Sequence, residues 1–295
     1  MPELPEVETI ARELRPLVSG RAIVSAWTDW PRVVRHPPAG RFLEAVLHHH
    51  VIGVGRRAKW VLLELDDDLV LPVQLKMTGQ LDVVPGGQRR DRHVHLALGL
   101  EDGRELRLRD VRKFARVGLY RRDAAGRAIG PDGASELFAH HGPEPLDARF
   151  TLAAFRRRLR ARRGRLKPLL LDQAFVAGIG NIYADEILWL ARLHPLRRAE
   201  SLRPAGERRL YLAIGDVLGE AIERRGSSID DYTAPGGDGE MQEHLRVYQR
   251  TGRPCERCGR PIRRLVVGGR ATHYCSWCQR LPRRTHLPRR AAPGG

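Results

Sequence analysis

Four cysteines near the C-terminus constrain most strongly how this chain can fold. They form two Cys-x2-Cys pairs, Cys255 with Cys258 and Cys275 with Cys278, and sixteen residues separate the pairs. Two such pairs present four thiolates tetrahedrally to one Zn²⁺, which is the usual geometry of a structural zinc site. Two disulfides are the weaker interpretation in a reducing compartment. The spacing therefore predicts one structural zinc ion held by all four cysteines.

The segment between the two cysteine pairs reads as a β-hairpin. It contains IRRLVVGGRATHYC, two apolar runs joined by Gly268 and Gly269, and a two-residue turn of this composition supplies the positive φ angles that a tight hairpin needs. Arg270 then lies at or beside the tip. A guanidinium on a rigid, zinc-stapled arm suits a phosphate, and a merely solvated arginine is an equally good interpretation.

Charge and composition narrow the class of partner. The chain has 295 residues, 52 Lys and Arg against 35 Asp and Glu, a net charge of +17 and 42% hydrophobic residues. Such a length predicts two or three domains with buried cores, and the basic balance favours a polyanion, nucleic acid rather than a membrane surface. A solvated basic surface is the alternative. The sequence shows neither a membrane-spanning apolar run nor a signal peptide, which predicts a cytoplasmic protein with no membrane partner.

The pattern along the chain predicts a multi-domain α+β protein. Apolar positions repeat with a helical period over residues 4 to 19, short alternating runs follow from about 21 to 120, and helical spacing returns in the second half. We therefore expect an N-terminal helix plus antiparallel β-sandwich, a helical domain and a C-terminal zinc hairpin. The predicted boundaries are residues 1–133, 134–250 with a flexible loop at 226–240, 251–280, and a disordered basic tail at 281–295.

Two stretches of the helical half are candidates for phosphate binding. The run RRRLRARRGR at 156–165 contains seven arginines, which predicts either a solvated face or a phosphate-tracking surface. The segment GIGNIYADEIL places two glycines before a helix start, where Asn181 would be a good N-cap and where backbone N–H groups could approach an anion. The glycine pattern alone is weak evidence, because short Gly-x-Gly stretches are often only turns.

The acidic start, MPELPEVET, is unusual in so basic a chain. Glu6 and Glu8 suit the first turn of a helix, where carboxylates offset the helix dipole. Removal of Met1 would leave Pro2 with a free secondary amine, which on attacking a sugar C1′ becomes a cationic iminium directly. Glu3 could then move protons if burial tuned its pKa. On composition alone, the helix-start interpretation is the stronger one.

Six motifs that follow one another along the chain indicate a resemblance to a known family. They are MPELPEVET, RRAKW at 56–60, KMTG at 76–79, RKF at 112–114, LLLDQAFVAGIGNIYADEIL at 169–188 and the four-cysteine finger. Together they resemble the bacterial formamidopyrimidine-DNA glycosylase family over residues 2 to about 280. The resemblance implies a bifunctional base-excision repair enzyme in which a β-sandwich and a helix-two-turns-helix domain clamp damaged double-stranded DNA. It also implies action at the nucleoid in the bacterial cytoplasm. Nothing in the sequence suggests an obligate oligomer, so we expect a monomer.

By the same resemblance, Pro2 would be the Schiff-base nucleophile and Glu3 the proton donor, while Lys59 and Arg270 would act in β- and δ-elimination. The implied DNA contacts are His93, Arg163, Lys167 and Asn181, together with a set that would fill the space of the extruded nucleotide: Met77, Arg112 and Phe114. The chain departs from the family pattern at Gln74, Lys76, Asp91 and Lys113.

The nucleotide-replacing set favours oxidised purines, 8-oxoguanine and formamidopyrimidines, as substrates. A guanidinium supplies donors to the acceptors of an orphaned cytosine, whereas the related endonuclease VIII branch, which acts mainly on oxidised pyrimidines, lacks this set. An endonuclease VIII-like enzyme is the first alternative. A catalytically idle DNA-binding protein that keeps the clamp and the finger is the second.

Overall fold

The computed structural model describes residues 2–131, 133, 135–228 and 237–281. The strands pair in antiparallel sheets, and four of the six described α-helices lie together between the tenth and eleventh strands, so the expected α+β class is confirmed. The helices are α1 (Leu4–Val18), α2 (Ala39–Ala45), α3 (Leu152–Arg160), α4 (Leu166–Leu171), α5 (Asn181–Leu190) and α6 (Pro204–Glu223). The strands are β1 (Ile23–Trp27), β2 (Val51–Arg57), β3 (Trp60–Leu65), β4 (Leu69–Gln74), β5 (Gly79–Pro85), β6 (Val94–Leu100), β7 (Arg104–Asp110), β8 (Arg116–Val117), β9 (Tyr120–Arg122), β10 (Ala128–Ile129), β11 (Arg263–Val267) and β12 (Arg270–Tyr274).

Helix α1 forms where the apolar period predicts it and ends at Val18, before Gly20 with its positive φ of 77°. Its start is a capping box, in which the backbone N–H of Glu3 donates to the Glu6 carboxylate at 2.8 Å. Its apolar face, with Ile10 and Leu14 fully buried, packs into the sandwich core. The helix therefore fixes the first residues of the chain relative to the sheets.

The strands of the N-terminal half form two antiparallel sheets. One has the order β1-β6-β7-β5, and the other has the order β10-β9-β4-β3-β2 with β8 paired to β4. Leu63 and Leu71 from the second sheet share one core with Leu98 and Leu108 from the first. Packing of the two inner faces confirms the predicted sandwich.

Helices α3 to α6 enclose a second core around Phe155 and Tyr183, both fully buried. Three arginines of the 156–165 run make ion pairs or hydrogen bonds between the elements that surround this core. Arg156 and Arg160 pair with Glu207 on α6, and Arg158 donates to backbone carbonyls of the segment before α5. Those three side chains therefore stabilise the helical half, a role that the run did not predict.

The C-terminal hairpin β11-β12 also forms as predicted. Val267 pairs with Arg270 across Gly268 and Gly269, whose φ angles are 57° and 74°. Positive φ at both central residues is what glycine permits without strain. The described residues exclude 229–236, the middle of the predicted flexible loop at 226–240, and the tail from 282 onward. Within the described residues, no helix combines the length and apolar character needed to cross a bilayer.

Candidate active site

A cavity of about 400 Å³ opens where the start of the chain meets the sandwich, the helical half and the zinc hairpin. Its walls bring together residues from distant parts of the sequence: Pro2, Glu3, Lys59, Asn181 and Arg270. The four residues expected to be catalytic therefore share one cavity. Met77, at its edge, is also part of the lining.

The Glu3 carboxylate is buried at the N-terminus of α5. It accepts hydrogen bonds from the backbone N–H groups of Gly180 at 2.6 Å, Ile182 at 2.9 Å and Tyr183 at 3.4 Å. The first N–H groups of a helix have no partner within it, so a carboxylate from elsewhere in the chain satisfies them. Glu3 thereby caps a helix that lies about 180 residues further along the chain.

Burial raises the pKa of Glu3 to about 7. The desolvation of the carboxylate outweighs the nearby Lys59 ammonium and the backbone N–H groups of Ile182 and Gly180, which lower the pKa, while the neighbouring Glu6 raises it further. A carboxyl group with such a pKa is part protonated and part ionised near neutral pH. It can therefore both donate and accept a proton there.

Asn181 is not the N-cap, so this prediction is wrong. The helix begins at Asn181 itself, and Gly180 is the N-cap without a side-chain hydrogen bond of its own. A Cβ on Gly180 would lie 2.3 Å from Cδ of Glu3, so only glycine leaves room for that carboxylate. The amide oxygen of Asn181 is buried with no hydrogen-bond partner among the described residues.

Lys59 lies in the tight turn between β2 and β3, next to Ala58 with a φ of 53°. The Glu144 carboxylate holds this turn, accepting from the Ala58 N–H at 2.6 Å and pairing with Arg56 at 2.7 Å and Arg57 at 2.6 Å. Burial lowers the pKa of Lys59, while Glu3 and Glu6 raise it. The turn thus delivers an amine of weakened basicity to the cavity.

Arg270 is exposed at the hairpin tip, on the strand side of the two-glycine turn. Its neighbour in the strand is tied to the helical half by Lys167, whose ammonium donates to the Ala271 carbonyl at 2.8 Å and to Asp185 at 2.6 Å. The Lys167 side chain is fully buried. Lys167, which the resemblance implies as a DNA contact, therefore has its charge paired with Asp185 and shielded from solvent.

Met77, Arg112 and Phe114 meet on the surface beside the cavity. The Arg112 guanidinium lies 3.1 Å from the Met77 sulfur and 4.8 Å from the centre of the Phe114 ring, and the two apolar side chains are about two-fifths exposed, at 40% and 42%. Asp110 links the two loops that carry them, because its carboxylate accepts from the backbone N–H groups of Arg112 and Phe114 in one loop and from the Thr78 hydroxyl in the other. The three side chains form one exposed apolar and cationic group.

His93 and Arg163 lie outside the cavity lining. His93 is half-buried beside Asp91, which accepts from its backbone N–H at 2.6 Å. Arg163 is exposed in the connection between α3 and α4. The structure does not bring these two residues together with the catalytic group.

The four cysteines converge as their spacing predicts. All four sulfur atoms lie within 4.8 Å of one another, with Cys258 and Cys275 3.5 Å apart and Cys255 and Cys278 4.0 Å apart. Zn–S bonds of about 2.3 Å give a tetrahedron with sulfur–sulfur edges of about 3.8 Å. The arrangement therefore fits one tetrahedral zinc ion.

Comparison with known families agrees with this arrangement. Three family models match the chain: the formamidopyrimidine-DNA glycosylase N-terminal domain at residues 1–117, the H2TH domain of the same enzymes at 141–233, and a zinc finger found in FPG and IleRS at 252–281. The formamidopyrimidine-DNA glycosylase of Herpetosiphon aurantiacus is 47% identical over 281 residues, covering 95% of this chain and 100% of that protein. The chain belongs to the formamidopyrimidine-DNA glycosylase family.

Further members of the family resemble the chain over the same extent. The enzyme of Symbiobacterium thermophilum is 43% identical, covering 100% of this chain and 94% of that protein. Lactococcus lactis Fpg in complex with DNA containing an abasic site has a TM-score of 0.84 at 37% identity, covering 95% of this chain and 100% of that one. MutM in complex with DNA containing carbocyclic 8-oxo-G has a TM-score of 0.85 at the same identity and coverage.

Several residues that build the site were missed by sequence reasoning. Glu144 and Asp110 are common acidic residues in loop or strand-end positions, and only the fold shows which backbone groups they bind. Tyr248 lines the cavity without a local motif that marks it. A signal did exist for Gln173 and Asp185, which both lie in the motif at 169–188, but the cavity position of Gln173 and the pairing of Asp185 with Lys167 depend on the tertiary structure.

Gly180→Ala tests the contact between Glu3 and α5. The added Cβ meets the Glu3 carboxyl group at 2.3 Å, so we expect a loss of about 1–3 kcal/mol in the free energy of unfolding, measured by chemical denaturation. Gly215→Ala, within α6, is the matched control, because nothing lies within 4 Å of its Cβ. That variant should be neutral or up to about 1 kcal/mol more stable. Equal stability of the two variants would contradict the proposed packing.

Proposed function

We propose that this protein is a base-excision repair DNA glycosylase that removes oxidised purines from duplex DNA and then cleaves the strand by β,δ-elimination. The observation that carries the proposal is the meeting of Pro2 and a Glu3 carboxyl of pKa about 7 with Lys59 and Arg270 in one cavity. An amine nucleophile, a proton-transferring acid and two cations are the groups that this reaction needs.

The proposed first step uses Pro2 after removal of Met1. The free secondary amine attacks C1′ of the damaged nucleoside, the glycosidic bond breaks, and the base leaves with the bonding electrons and takes a proton from Glu3. The proton that the amine loses passes to the ring oxygen O4′ as the sugar ring opens. The product is a cationic iminium between Pro2 and C1′, which acts as an electron sink for the next steps.

The proposed strand cleavage follows from that sink. Loss of a proton from C2′ breaks the bond between C3′ and its phosphate oxygen, and a second elimination breaks the bond at C5′. Each leaving group is a phosphate that departs with the electron pair, so cations beside it lower the barrier. Lys59 is assigned to the first elimination and Arg270 to the second, and hydrolysis of the remaining iminium frees Pro2.

The preference for oxidised purines rests on two kinds of support. Met77, Arg112 and Phe114 stand together and exposed beside the cavity, where they suit the space left by an extruded nucleotide. Solved structures at 37% identity hold DNA containing Fapy-dG and DNA containing carbocyclic 8-oxo-G. We assign DNA contacts to His93, Arg163 and Asn181 as well, and to Lys167 only a supporting role behind Arg270.

Domain organisation and setting belong to the same proposal. We assign the catalytic sandwich to residues 1–133, the helix-two-turns-helix domain to 134–250 and the finger to 251–280. The protein would act as a monomer on damaged duplex DNA at the nucleoid in the cytoplasm. One zinc ion held by the four cysteines would stabilise the hairpin that carries Arg270 without taking part in the chemistry.

The zinc assignment is testable by metal analysis. Native mass spectrometry should find one zinc per chain, and Cys275→Ser should lose it, because a structural site needs all four thiolates. We expect at least a tenfold loss of strand cleavage in that variant while the sandwich stays folded, as judged by near-UV circular dichroism. Full zinc content and cleavage in Cys275→Ser would exclude this role.

Borohydride trapping tests the covalent chemistry. The protein should form a reducible adduct on a duplex with 8-oxoguanine opposite cytosine, and Pro2→Gly should lower its yield at least tenfold because the secondary amine is gone. A parallel dihydrouracil duplex separates the branches. An adduct formed mainly on dihydrouracil would indicate an endonuclease VIII-like enzyme, and binding without an adduct on either duplex would indicate an idle DNA-binding protein.

The pH dependence tests the role of Glu3. Its pKa is raised to about 7, so its proton is present below that pH and is lost above it. Single-turnover base release should therefore fall as pH rises through about 7. Lys59 lowers this pKa, so Lys59→Met should move the alkaline limb to higher pH. Lys113→Met, which removes the same charge outside the cavity, should leave the limb in place. Identical limbs in all three proteins would contradict this assignment.

A further inference from the structure

A second cavity, of about 390 Å³, adjoins the candidate active site. The two cavities share Gln74 and Lys76 in their walls. Three basic residues line the second cavity: Arg35, Lys76 and Arg116. None of the three has a place in the chemistry proposed above.

Backbone pairing brings the three cations together from separate segments. Strand β8 pairs with the end of β4 so that Arg116 stands opposite Gln74, and Lys76 follows β4 in a turn with a φ of 59°. Val117 bridges to Val34, and the Arg35 N–H donates to the Val117 carbonyl at 2.8 Å. Their proximity is therefore fixed by sheet register rather than by chance approach of long side chains.

In the part of the chain that the structure describes, the three cations lack a counterion. Among the described residues, no carboxylate oxygen lies within 4 Å of a charged nitrogen of Arg35, Lys76 or Arg116. Asp110 attracts Arg116 from further away, but its oxygens are taken by the Thr78 hydroxyl and backbone N–H groups. Burial, and then the charges of Arg116 and Arg35, lower the pKa of Lys76. A cluster of like charges costs free energy that a bound anion would offset.

Other features of this cavity suit an anion. Trp60 lines it, and its buried indole N–H has no hydrogen-bond acceptor among residues that the structure describes. The Arg116 guanidinium is already held in place, 2.6 Å from the Ala115 carbonyl and 5.4 Å from the centre of the Trp30 ring. A fixed guanidinium loses little entropy when it binds a phosphate.

Lys76 lines both cavities and interacts with the positive charges in each of them. Both Arg270 and Lys76 lower the pKa of Lys59 from the active-site side, and Arg116 and Arg35 lower that of Lys76 from the other. The positive charges thus follow one another from the hairpin tip to the edge of the sandwich. A polyanion with regularly spaced charges matches such a series better than a single small anion does.

We propose that Arg35, Lys76 and Arg116 bind a backbone phosphate of the DNA adjacent to the phosphates at Lys59 and Arg270. The proposal rests on the proposed function in one respect, that the protein binds damaged duplex DNA. It extends the DNA path across the sandwich and makes Arg35 and Arg116 affinity-determining residues.

The test is the salt dependence of binding to a duplex that carries an uncleavable tetrahydrofuran abasic analogue. Arg116→Ala and Arg35→Ala should each bind roughly tenfold more weakly, and the slope of log affinity against log salt should decrease in magnitude by about 1. Arg116→Lys keeps the charge and should keep the slope. Arg41→Ala, exposed on α2 and lining neither cavity, removes the same charge and should behave as wild type.

The outcomes separate this proposal from the function on which it rests. A wild-type protein that fails to bind the duplex would overturn both. Normal wild-type binding with unchanged slopes in Arg116→Ala and Arg35→Ala, or with the same loss in Arg41→Ala, would overturn the phosphate pocket alone. Calorimetry with inorganic phosphate supplies the last arm: phosphate binding that the two variants abolish, without any change in DNA slope, would assign the cavity to a free anion instead.

Discussion

The site depends on one contact, the carboxylate of Glu3 at the N-terminus of α5. It joins the first residues of the chain to a helix in the other half of the molecule, through N–H groups of Gly180, Ile182 and Tyr183. A helix N-terminus favours negative charge, yet the pKa of this carboxyl is raised to about 7 because burial has the larger effect. This balance lets one contact both position the carboxyl group and raise its pKa. The N–H groups fix the position of the carboxyl group, and burial keeps it partly protonated near neutral pH.

Two acidic residues of helix α5 position other parts of the cavity. Asp185 accepts hydrogen bonds from the Lys167 ammonium and, at 2.8 Å, from the backbone N–H of His273 on β12. These bonds fix the hairpin that carries Arg270 to the helix. Glu186 accepts three consecutive backbone N–H groups at 246–248 and thereby positions Tyr248, which lines the cavity. One short helix therefore sets where the Glu3 carboxyl group, the hairpin and the cavity wall lie relative to each other. Asp185 and Glu186 thus position parts of the cavity without lining it themselves.

Local pattern was enough to predict the elements but not their partners. The period of α1, the two-glycine turn before Arg270 and the cysteine spacing each follow from a few adjacent residues, and each was correct. Asn181 has the right chemistry for an N-cap, yet a carboxylate that is remote in sequence occupies that role, and no propensity argument can see it. The burial of Lys167 likewise cannot be predicted from its local sequence, because it depends on pairing with Asp185 and with the Ala271 carbonyl. The Arg35, Lys76 and Arg116 cluster needs the register of β4 with β8, which sequence alone does not fix.

In the proposed mechanism, the electrostatics of the cavity would also link DNA binding to the protonation of Glu3. Lys59 lowers the pKa of Glu3, and Glu3 in turn raises that of Lys59, because each charge stabilises the other in the free protein. In the proposed complex, phosphates beside Lys59 and Arg270 would neutralise part of the positive field that Glu3 experiences. Weaker attraction for the carboxylate means a higher pKa and a larger protonated fraction at a given pH. By linkage, protonation of Glu3 would favour phosphate binding to the same extent that phosphate favours protonation. The acid would thus be most fully protonated when DNA is in place, which is when a proton is needed.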